Sequence, residues 1–79
     1  MPITIYSTPT CPFCKQAKAF FDEQGVKYTD IDVMHDQEKA QEMIQKSGQM
    51  GVPVIDIDGE IIVGFDEKKL KEIIEKQLG

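Results

Sequence analysis

The stretch Thr10-Cys11-Pro12-Phe13-Cys14 holds the only two cysteines of the 79-residue chain. It follows a short β-branched run and precedes a helical pattern, so the pair lies where a strand passes into a helix. Two thiols one helical turn apart can close a small disulfide with little backbone movement, and an isolated Cys-x-x-Cys in this setting is a redox signature. The spacing predicts a pair of cysteines that cycles between dithiol and disulfide.

Pro12 indicates which cysteine reacts first. The fixed φ and the missing N–H of proline suit the first position of a helix, which puts Cys11 at the N-cap. Its sulfur would then face unpaired backbone N–H groups and the positive end of the helix dipole, and both favour a thiolate. Cys14 would lie inside the first turn and be better shielded. We predict Cys11 as the attacking cysteine and Cys14 as the resolving one.

The composition restricts the classes of protein that fit the chain. With 79 residues, of which 41% are hydrophobic and 29% charged, we expect a single domain over residues 1–79. The sequence has no apolar run of about 18 residues and no N-terminal signal pattern, and cycling thiols suit a reducing compartment, so we predict a cytoplasmic protein. Fourteen acidic residues against nine lysines give a net charge of −5, which disfavours nucleic acid and anionic membranes as partners.

The hydrophobic pattern predicts seven elements in the order β-α-β-α-β-β-α. The predicted strands and helices are Ile3–Tyr6, Pro12–Gln24, Lys27–Val33, Asp36–Gly48, Val54–Ile57, Glu60–Val63 and a last helix capped by Asp66, which buries Leu70, Ile73, Ile74 and Leu78. Asp58-Gly59 is typical of a two-residue type I′ hairpin turn. A four-stranded mixed sheet with helices on both faces accommodates this order. The cysteines would then follow the C-terminal end of the first strand, where open α/β sheets place their ligands.

Three short motifs of the chain are matched, in the same order, in one known family. They are Thr10-Cys11-Pro12-Phe13-Cys14, Gly51-Val52-Pro53 and Gly64-Phe65-Asp66. Together they resemble the glutaredoxin family of the thioredoxin fold, which has Cys-Pro-Tyr-Cys, Thr-Val-Pro and Gly-Gly-x-Asp-Asp at these places. The resemblance covers essentially the whole chain and implies a thioredoxin-like α/β fold.

The resemblance also implies a substrate site around the cysteines. In the family the Val-Pro peptide bond is cis and faces the cysteines, which implies that the Val52 backbone is free to pair with a substrate disulfide or peptide. Backbone N–H groups around Asp66 would receive a carboxylate of a bound thiol peptide, although an ordinary hairpin exit and helix cap would need no ligand. The substrate-binding residues implied in this way are Thr8, Pro12, Phe13, Gln49, Val52, Pro53, Gly64, Phe65 and Asp66.

Two positions depart from the family pattern and weaken the case for glutathione as the co-substrate. Thr8 stands where glutaredoxins usually carry a lysine, and Val63 stands where they have the first glycine of the Gly-Gly pair. Glutathione is itself anionic, so the net charge of −5 adds repulsion. Lys15 and Lys18 on the first helix either help a thiolate or an anionic ligand, or only solubilise the helix surface.

The predicted function is a dithiol-disulfide oxidoreductase that acts as a monomer without a bound cofactor or metal. The Cys11 thiolate attacks a disulfide of a client protein or a glutathione mixed disulfide, and Cys14 then releases the reduced substrate. Glutathione is the expected co-substrate; the alternative electron source is thioredoxin reductase, with a client such as ribonucleotide reductase. A metal or iron–sulfur carrier, with Cys11 ligating a cluster across a dimer, is an alternative of another class, which the rigid Pro12 and the second cysteine disfavour.

Overall fold

The computed structural model describes the backbone of residues 2–78 and the side chains of residues 2–76. Its elements are β1 Ile3–Ser7, α1 Pro12–Gln24, β2 Thr29–Asp32, α2 Gln37–Ser47, β3 Val54–Ile57, β4 Glu60–Val63 and α3 Glu67–Leu78. The order is the predicted one, and the four strands form a single mixed sheet. The thioredoxin-like fold is therefore confirmed.

The four strands lie in the order β2-β1-β3-β4. β1 and β2 are parallel, whereas β3 is antiparallel to both β1 and β4. The C-terminal ends of β1, β2 and β4 therefore lie at the same edge of the sheet as the start of β3. The cysteine loop, the Val52-Pro53 segment and Gly64 all reach this edge, although they are far apart in sequence.

Two strand boundaries differ from the prediction. β1 continues through Ser7, which we expected to break the strand; its side chain is buried and its carbonyl accepts a hydrogen bond from Val33 N–H at 3.0 Å. β2 covers Thr29–Asp32 and not the predicted Lys27–Val33. It is an edge strand whose only neighbour, β1, offers partners from Thr4 to Ser7. Pairing in the sheet, and not β propensity, sets its length.

Alternation along the strands separates the core into two layers. Ile5 and Ile55 face a cluster that includes Phe21 of α1 and Leu70 of α3. Tyr6, the next residue of β1 and the register partner of Val54, points to the opposite face and packs with Met43 of α2 and with Val54. Helices therefore cover both faces, as predicted. Of the residues expected on the buried face of α3, Leu70, Ile73 and Ile74 are buried, and the side chain of Leu78 lies outside the described residues.

At three other boundaries, local signals act where the sequence predicts. Gly25 closes α1 in a left-handed conformation with φ 70°, and Asp36 caps α2 by accepting a hydrogen bond from Lys39 N–H at 3.1 Å. Asp58 and Gly59 have φ values of 50° and 94°, as a type I′ turn requires. Within residues 2–78, no helix combines the length and the apolar character that crossing a membrane requires.

Candidate active site

Cys11 is the N-cap residue of α1, as predicted. Its backbone is extended, with φ −85° and ψ 113°, and Pro12 follows at the start of the helix. The Cys11 sulfur accepts a hydrogen bond from the Cys14 backbone N–H at 3.2 Å. This is the position in which serine or aspartate normally caps a helix, so the sulfur takes the place of a capping oxygen. The Cys14 N–H, one of the free donors of the first turn, is thus directed at the sulfur, at the positive end of the helix dipole.

The two cysteines differ in their exposure. Cys11 is half-buried, whereas Cys14 is fully buried on the core side of α1. Burial, followed by the hydrogen bond to Cys11, raises the pKa of Cys14 to about 12. Both thiols are free in this structure. Cys11 is therefore the thiol that a second molecule can reach, and Cys14 stays protonated until the local charges change.

The Val52-Pro53 segment lies directly beside Cys11. The Cys11 sulfur and the Val52 carbonyl oxygen are 3.8 Å apart, which is within the range of a thiol hydrogen bond. The Val52-Pro53 peptide bond is cis, as the resemblance implies, and Pro53 is buried. The Pro53 carbonyl accepts a hydrogen bond from Gly64 N–H at 2.8 Å. The three sequence motifs are thus brought together at one edge of the sheet.

Several of the predicted substrate-binding residues line the surface around Cys11. Phe13 is 59% exposed and Thr8 is half-buried, with the Thr8 carbonyl accepting a hydrogen bond from Cys11 N–H at 3.3 Å. Gln49 is half-buried, and a Cβ on Gly51 would lie 3.5 Å from its side-chain nitrogen. The Gln49 side chain therefore folds over the loop that carries Val52.

The segment after β4 has a partly structural role. The Phe65 ring packs edge-to-face against Phe20, with 6.1 Å between the ring centroids, and so contributes to the core beneath α1. Asp66 caps α3, because its carboxylate accepts a hydrogen bond from Lys69 N–H at 3.2 Å. Both the cap and the ligand interpretation of Asp66 are compatible with this geometry, since a helix start binds anions through its N–H groups.

Lys18, which the sequence already offered as a candidate, belongs to a polar chain whose other members, Ser7 and Asp30, were missed in the sequence. The buried Ser7 hydroxyl donates a hydrogen bond to Asp30 at 2.6 Å, and the other oxygen of Asp30 lies 2.6 Å from the Lys18 ammonium. The available signal was Ser7, a small polar residue directly after a β-prone run, but the sequence predicted that it breaks the strand. Parallel pairing of β1 with β2 brings Asp30 next to it. No group of three or more His, Cys, Asp or Glu side chains in the described part of the chain could hold a metal ion.

Comparison with known proteins agrees with this geometry. The sequence profile of glutaredoxin matches residues 3–62. The chain belongs to the glutaredoxin family. A glutaredoxin-like protein of 8.6 kDa from the rubredoxin operon of Clostridium pasteurianum, itself uncharacterised, is 47% identical over 74 residues, which cover 94% of this chain and 99% of the relative.

Solved structures of two different glutaredoxin types resemble this chain. The glutaredoxin-like NrdH-redoxin of Escherichia coli, described as having a thioredoxin-like activity profile, superimposes with a TM-score of 0.83 at 25% identity, covering 92% of this chain and 95% of that one. Buckwheat glutaredoxin in complex with glutathione gives a TM-score of 0.77 at 28% identity, covering 98% of this chain and 73% of that one. This member of the glutaredoxin family is therefore a thioredoxin-fold redox protein, and thiol-disulfide oxidoreductase activity is the family's activity.

Proposed function

We propose that this protein is a dithiol-disulfide oxidoreductase that reduces disulfides through a reversible Cys11–Cys14 bond. The observation that carries the proposal is the position of the half-exposed Cys11 sulfur, which caps α1 while accepting the Cys14 N–H at 3.2 Å. A helix start favours a thiolate on its capping residue, and a second thiol lies one turn away. We also infer that the protein acts as a monomer in the cytoplasm.

The reaction proceeds by two exchanges. The Cys11 thiolate attacks one sulfur of a substrate disulfide, forms a mixed disulfide and expels the other sulfur as a thiolate, which takes a proton from water. Cys14 then gives up its proton and attacks the Cys11 sulfur; the Cys11–Cys14 bond forms as the second substrate thiol leaves. The substrate gains two electrons, and the cysteine pair loses two.

The substrate is held in this proposal by the surface around Cys11. The Val52 backbone, whose carbonyl lies 3.8 Å from the Cys11 sulfur, pairs with an extended peptide or with glutathione. Phe13 and Thr8 lie within three residues of Cys11, Gln49 lies on the loop that leads to Val52, and the N–H groups at the start of α3 receive a carboxylate. Recognition through the backbone depends little on the side chains of the client, so many disulfide-containing proteins fit.

Two electron donors fit the site. Similarity to a glutathione complex supports glutathione, whereas similarity to a glutaredoxin-like protein with a thioredoxin-like activity profile supports thioredoxin reductase. A turnover assay with a protein disulfide as substrate separates them. One arm supplies glutathione with glutathione reductase, and the other supplies thioredoxin reductase alone; NADPH consumption is the readout in both.

The expected result is turnover in at least one arm with wild type and none in either arm with Cys11→Ser. Turnover that survives in Cys11→Ser would refute the proposed function. The same preparation tests the alternative of a cluster carrier. Protein purified and handled without oxygen should lack visible absorbance and elute as a monomer, whereas an iron–sulfur band in a dimer would support the carrier.

A further inference from the structure

A hydrogen-bonded chain that begins at a buried serine runs from β1 through β2 to the helix that carries the cysteines. Ser7 is 2% exposed and donates to one oxygen of Asp30 at 2.6 Å. The other oxygen of Asp30 binds the Lys18 ammonium at 2.6 Å. A lysine side chain normally samples many rotamers, so two linked contacts at this distance confine Lys18 to one direction. The Lys18 ammonium is therefore a cation held in a fixed position on α1.

Lys18 lies one helical turn after Cys14. Side chains four residues apart share one face of a helix, and helical side chains lean towards the N-terminus, so Lys18 leans back over the turn of Cys14. Its side chain is only 25% exposed. The positive charge of Lys18 lowers the pKa of Cys14 and so opposes the effect of burial. By contrast, Lys15, which directly follows Cys14, is exposed.

The surroundings of Cys14 contain few other charges. On α1 itself, the ionisable groups that act on Cys14 are Cys11 and Lys18. From β2, Asp30 reaches the site through its contact with Lys18. The loop after β1 contributes the Thr8 backbone, which lowers the pKa of Cys14. Among these groups Lys18 is the cation, and it lies one helical turn from Cys14 on the same helix.

We propose that Lys18, held in place by Asp30 and Ser7, stabilises the Cys14 thiolate that forms when the mixed disulfide is resolved. The inference rests on the proposed dithiol function and gives that function its second step. Cys14 releases its proton to solvent, the Lys18 charge stabilises the anion, and the anion attacks the Cys11 sulfur and expels the substrate thiolate. Asp30 and Ser7 are positioning residues, because they act through Lys18.

A single-turnover experiment separates the two exchanges. Reduced protein is mixed rapidly with one equivalent of dithiobis-nitrobenzoate, an aromatic disulfide whose released thiolate is coloured. Attack by Cys11 releases the first thiolate in a phase that depends on concentration. Resolution by Cys14 releases the second in a phase that does not. The rate of this second phase is recorded as a function of pH for wild type, Lys18→Met, Lys18→Arg, Asp30→Asn and the control Lys15→Met.

Lys18→Met should slow the second phase at neutral pH by about three- to tenfold. Losing an opposite charge raises the pKa of a thiol by roughly one to two units, so less of it is ionised. A thiolate of higher pKa is also a stronger nucleophile, which offsets part of the loss. Its pH profile should move to higher pH. The first phase should stay within about twofold of wild type, and this phase also reports that the variant is folded. Lys18→Arg should recover most of the rate, and Lys15→Met should leave both phases unchanged.

Asp30→Asn separates positioning from charge. If Asp30 holds Lys18 in place, the amide should slow the second phase; if its negative charge only opposed the thiolate, the amide would accelerate it and overturn the positioning role. The inference is overturned if the second phase is unchanged in Lys18→Met, or if Lys15→Met slows it equally. The dithiol function still stands in that case, provided that wild type releases two equivalents of thiolate. Release of only one equivalent by wild type would overturn both.

Discussion

Cys11 and Cys14 have the same side chain, and their surroundings give them different chemistry. Cys11 is half-buried, and its sulfur accepts a hydrogen bond from the Cys14 backbone N–H, whereas the Cys14 side chain lies on the buried face of α1. A thiolate is favoured where N–H groups point at it and disfavoured where apolar atoms replace water. The order of events in the proposed reaction follows from this difference.

Alkylation tests the order of reactivity. Brief treatment of the reduced protein with iodoacetamide at neutral pH should modify Cys11 first, because Cys14 is buried and its raised pKa keeps it protonated. Peptide mass mapping measures the two sites. Cys14→Ser should keep this labelling and accumulate the mixed disulfide with a substrate, whereas Cys11→Ser should lose all thiol exchange. Faster modification of Cys14 would reverse the two roles.

The raised pKa of Cys14 also predicts a loss of stability in alkaline solution. An unfolded thiol ionises near pH ~8.5, whereas the folded one stays protonated up to about 12. The folded state therefore holds more protons above pH ~8.5, so the free energy of unfolding should fall there by up to about 1.4 kcal/mol per pH unit. Below pH ~8.5 this contribution is fully present.

Urea unfolding of the reduced protein between about pH 7 and 10 measures this fall; tyrosine begins to ionise at the upper end of this interval, and the matched variant described next carries the same tyrosines. Cys14→Ala is the matched variant, because it removes the ionisable group and leaves a small side chain at the same place. Its stability should change much less over the same interval. Equal slopes for the two proteins would show that Cys14 is not the group responsible.

At the scale of elements, short polar signals decide where helices begin. Asp36 and Asp66 each accept the N–H of the residue three positions later, at 3.1 Å and 3.2 Å. Cys11 makes the same contact with its sulfur. All three helices therefore begin with a side chain that satisfies the free donors of the first turn. In α1 this cap has become the reactive group.

Replacing Asp66 separates its capping role from any role in binding. Asp66→Ala should lower the free energy of unfolding by about 0.5–2 kcal/mol through loss of the cap, whereas Asp66→Ser, which caps equally well, should stay within a few tenths of wild type. Chemical denaturation of both variants gives the comparison. If serine costs as much stability as alanine, the carboxylate is needed for a reason other than capping.

At the scale of the whole molecule, a polar network joins the sheet to α2. Tyr6 of β1 donates to Glu42 at 2.9 Å and accepts from Lys46 at 3.2 Å, and Lys46 also binds Asp56 of β3 at 3.0 Å. The hydrogen bond to Asp56, followed by that to Tyr6, raises the pKa of Lys46 well above its usual range. One phenol thus connects two strands and a helix that are distant in sequence.

Tyr6→Phe should destabilise the protein by about 1–2 kcal/mol, because it removes two hydrogen bonds to charged groups. The loss is limited because the charged groups can form hydrogen bonds with water instead. A double-mutant cycle with Lys46→Met measures the coupling, and the double variant should lose less than the sum of the single losses. Lys71→Met on the exposed face of α3 serves as the control for removing one lysine. Strict additivity would show that Tyr6 and Lys46 act independently.

The charge of the whole molecule bears on the choice of electron donor. With a net charge of −5, the protein repels anionic glutathione, and Thr8 stands where the family carries a lysine. Thr8→Lys should therefore lower the glutathione concentration for half-maximal turnover by about tenfold, the value of one charge-assisted contact. Thr8→Met is the uncharged control. Unchanged glutathione kinetics together with rapid reduction of wild type by thioredoxin reductase would rule against glutathione.

The sequence by itself determined the features that depend on neighbouring residues. The bounds of α1, β3 and β4, the Asp58-Gly59 turn and the capping role of Cys11 follow from periodicity, turn chemistry and the position of Pro12. Each is settled within a few residues of the chain, so one sequence is sufficient to read it. The cis bond before Pro53 was implied by the resemblance, since the residues themselves left it open.

Only the tertiary structure decided which distant groups meet. Cys11 lies beside Val52 across 41 residues, and Ser7 binds Asp30 across 23. The complete burial of Cys14 and the short length of β2, which matches the partners that β1 offers, also follow from the tertiary structure. Each depends on strand order, register and helix packing, which bring together groups with no local signal for each other. For this reason the reactive cysteine was predictable from its own loop and Lys18 was already a candidate from its helix, whereas the contact of Lys18 with Asp30, and of Asp30 with Ser7, was not predictable.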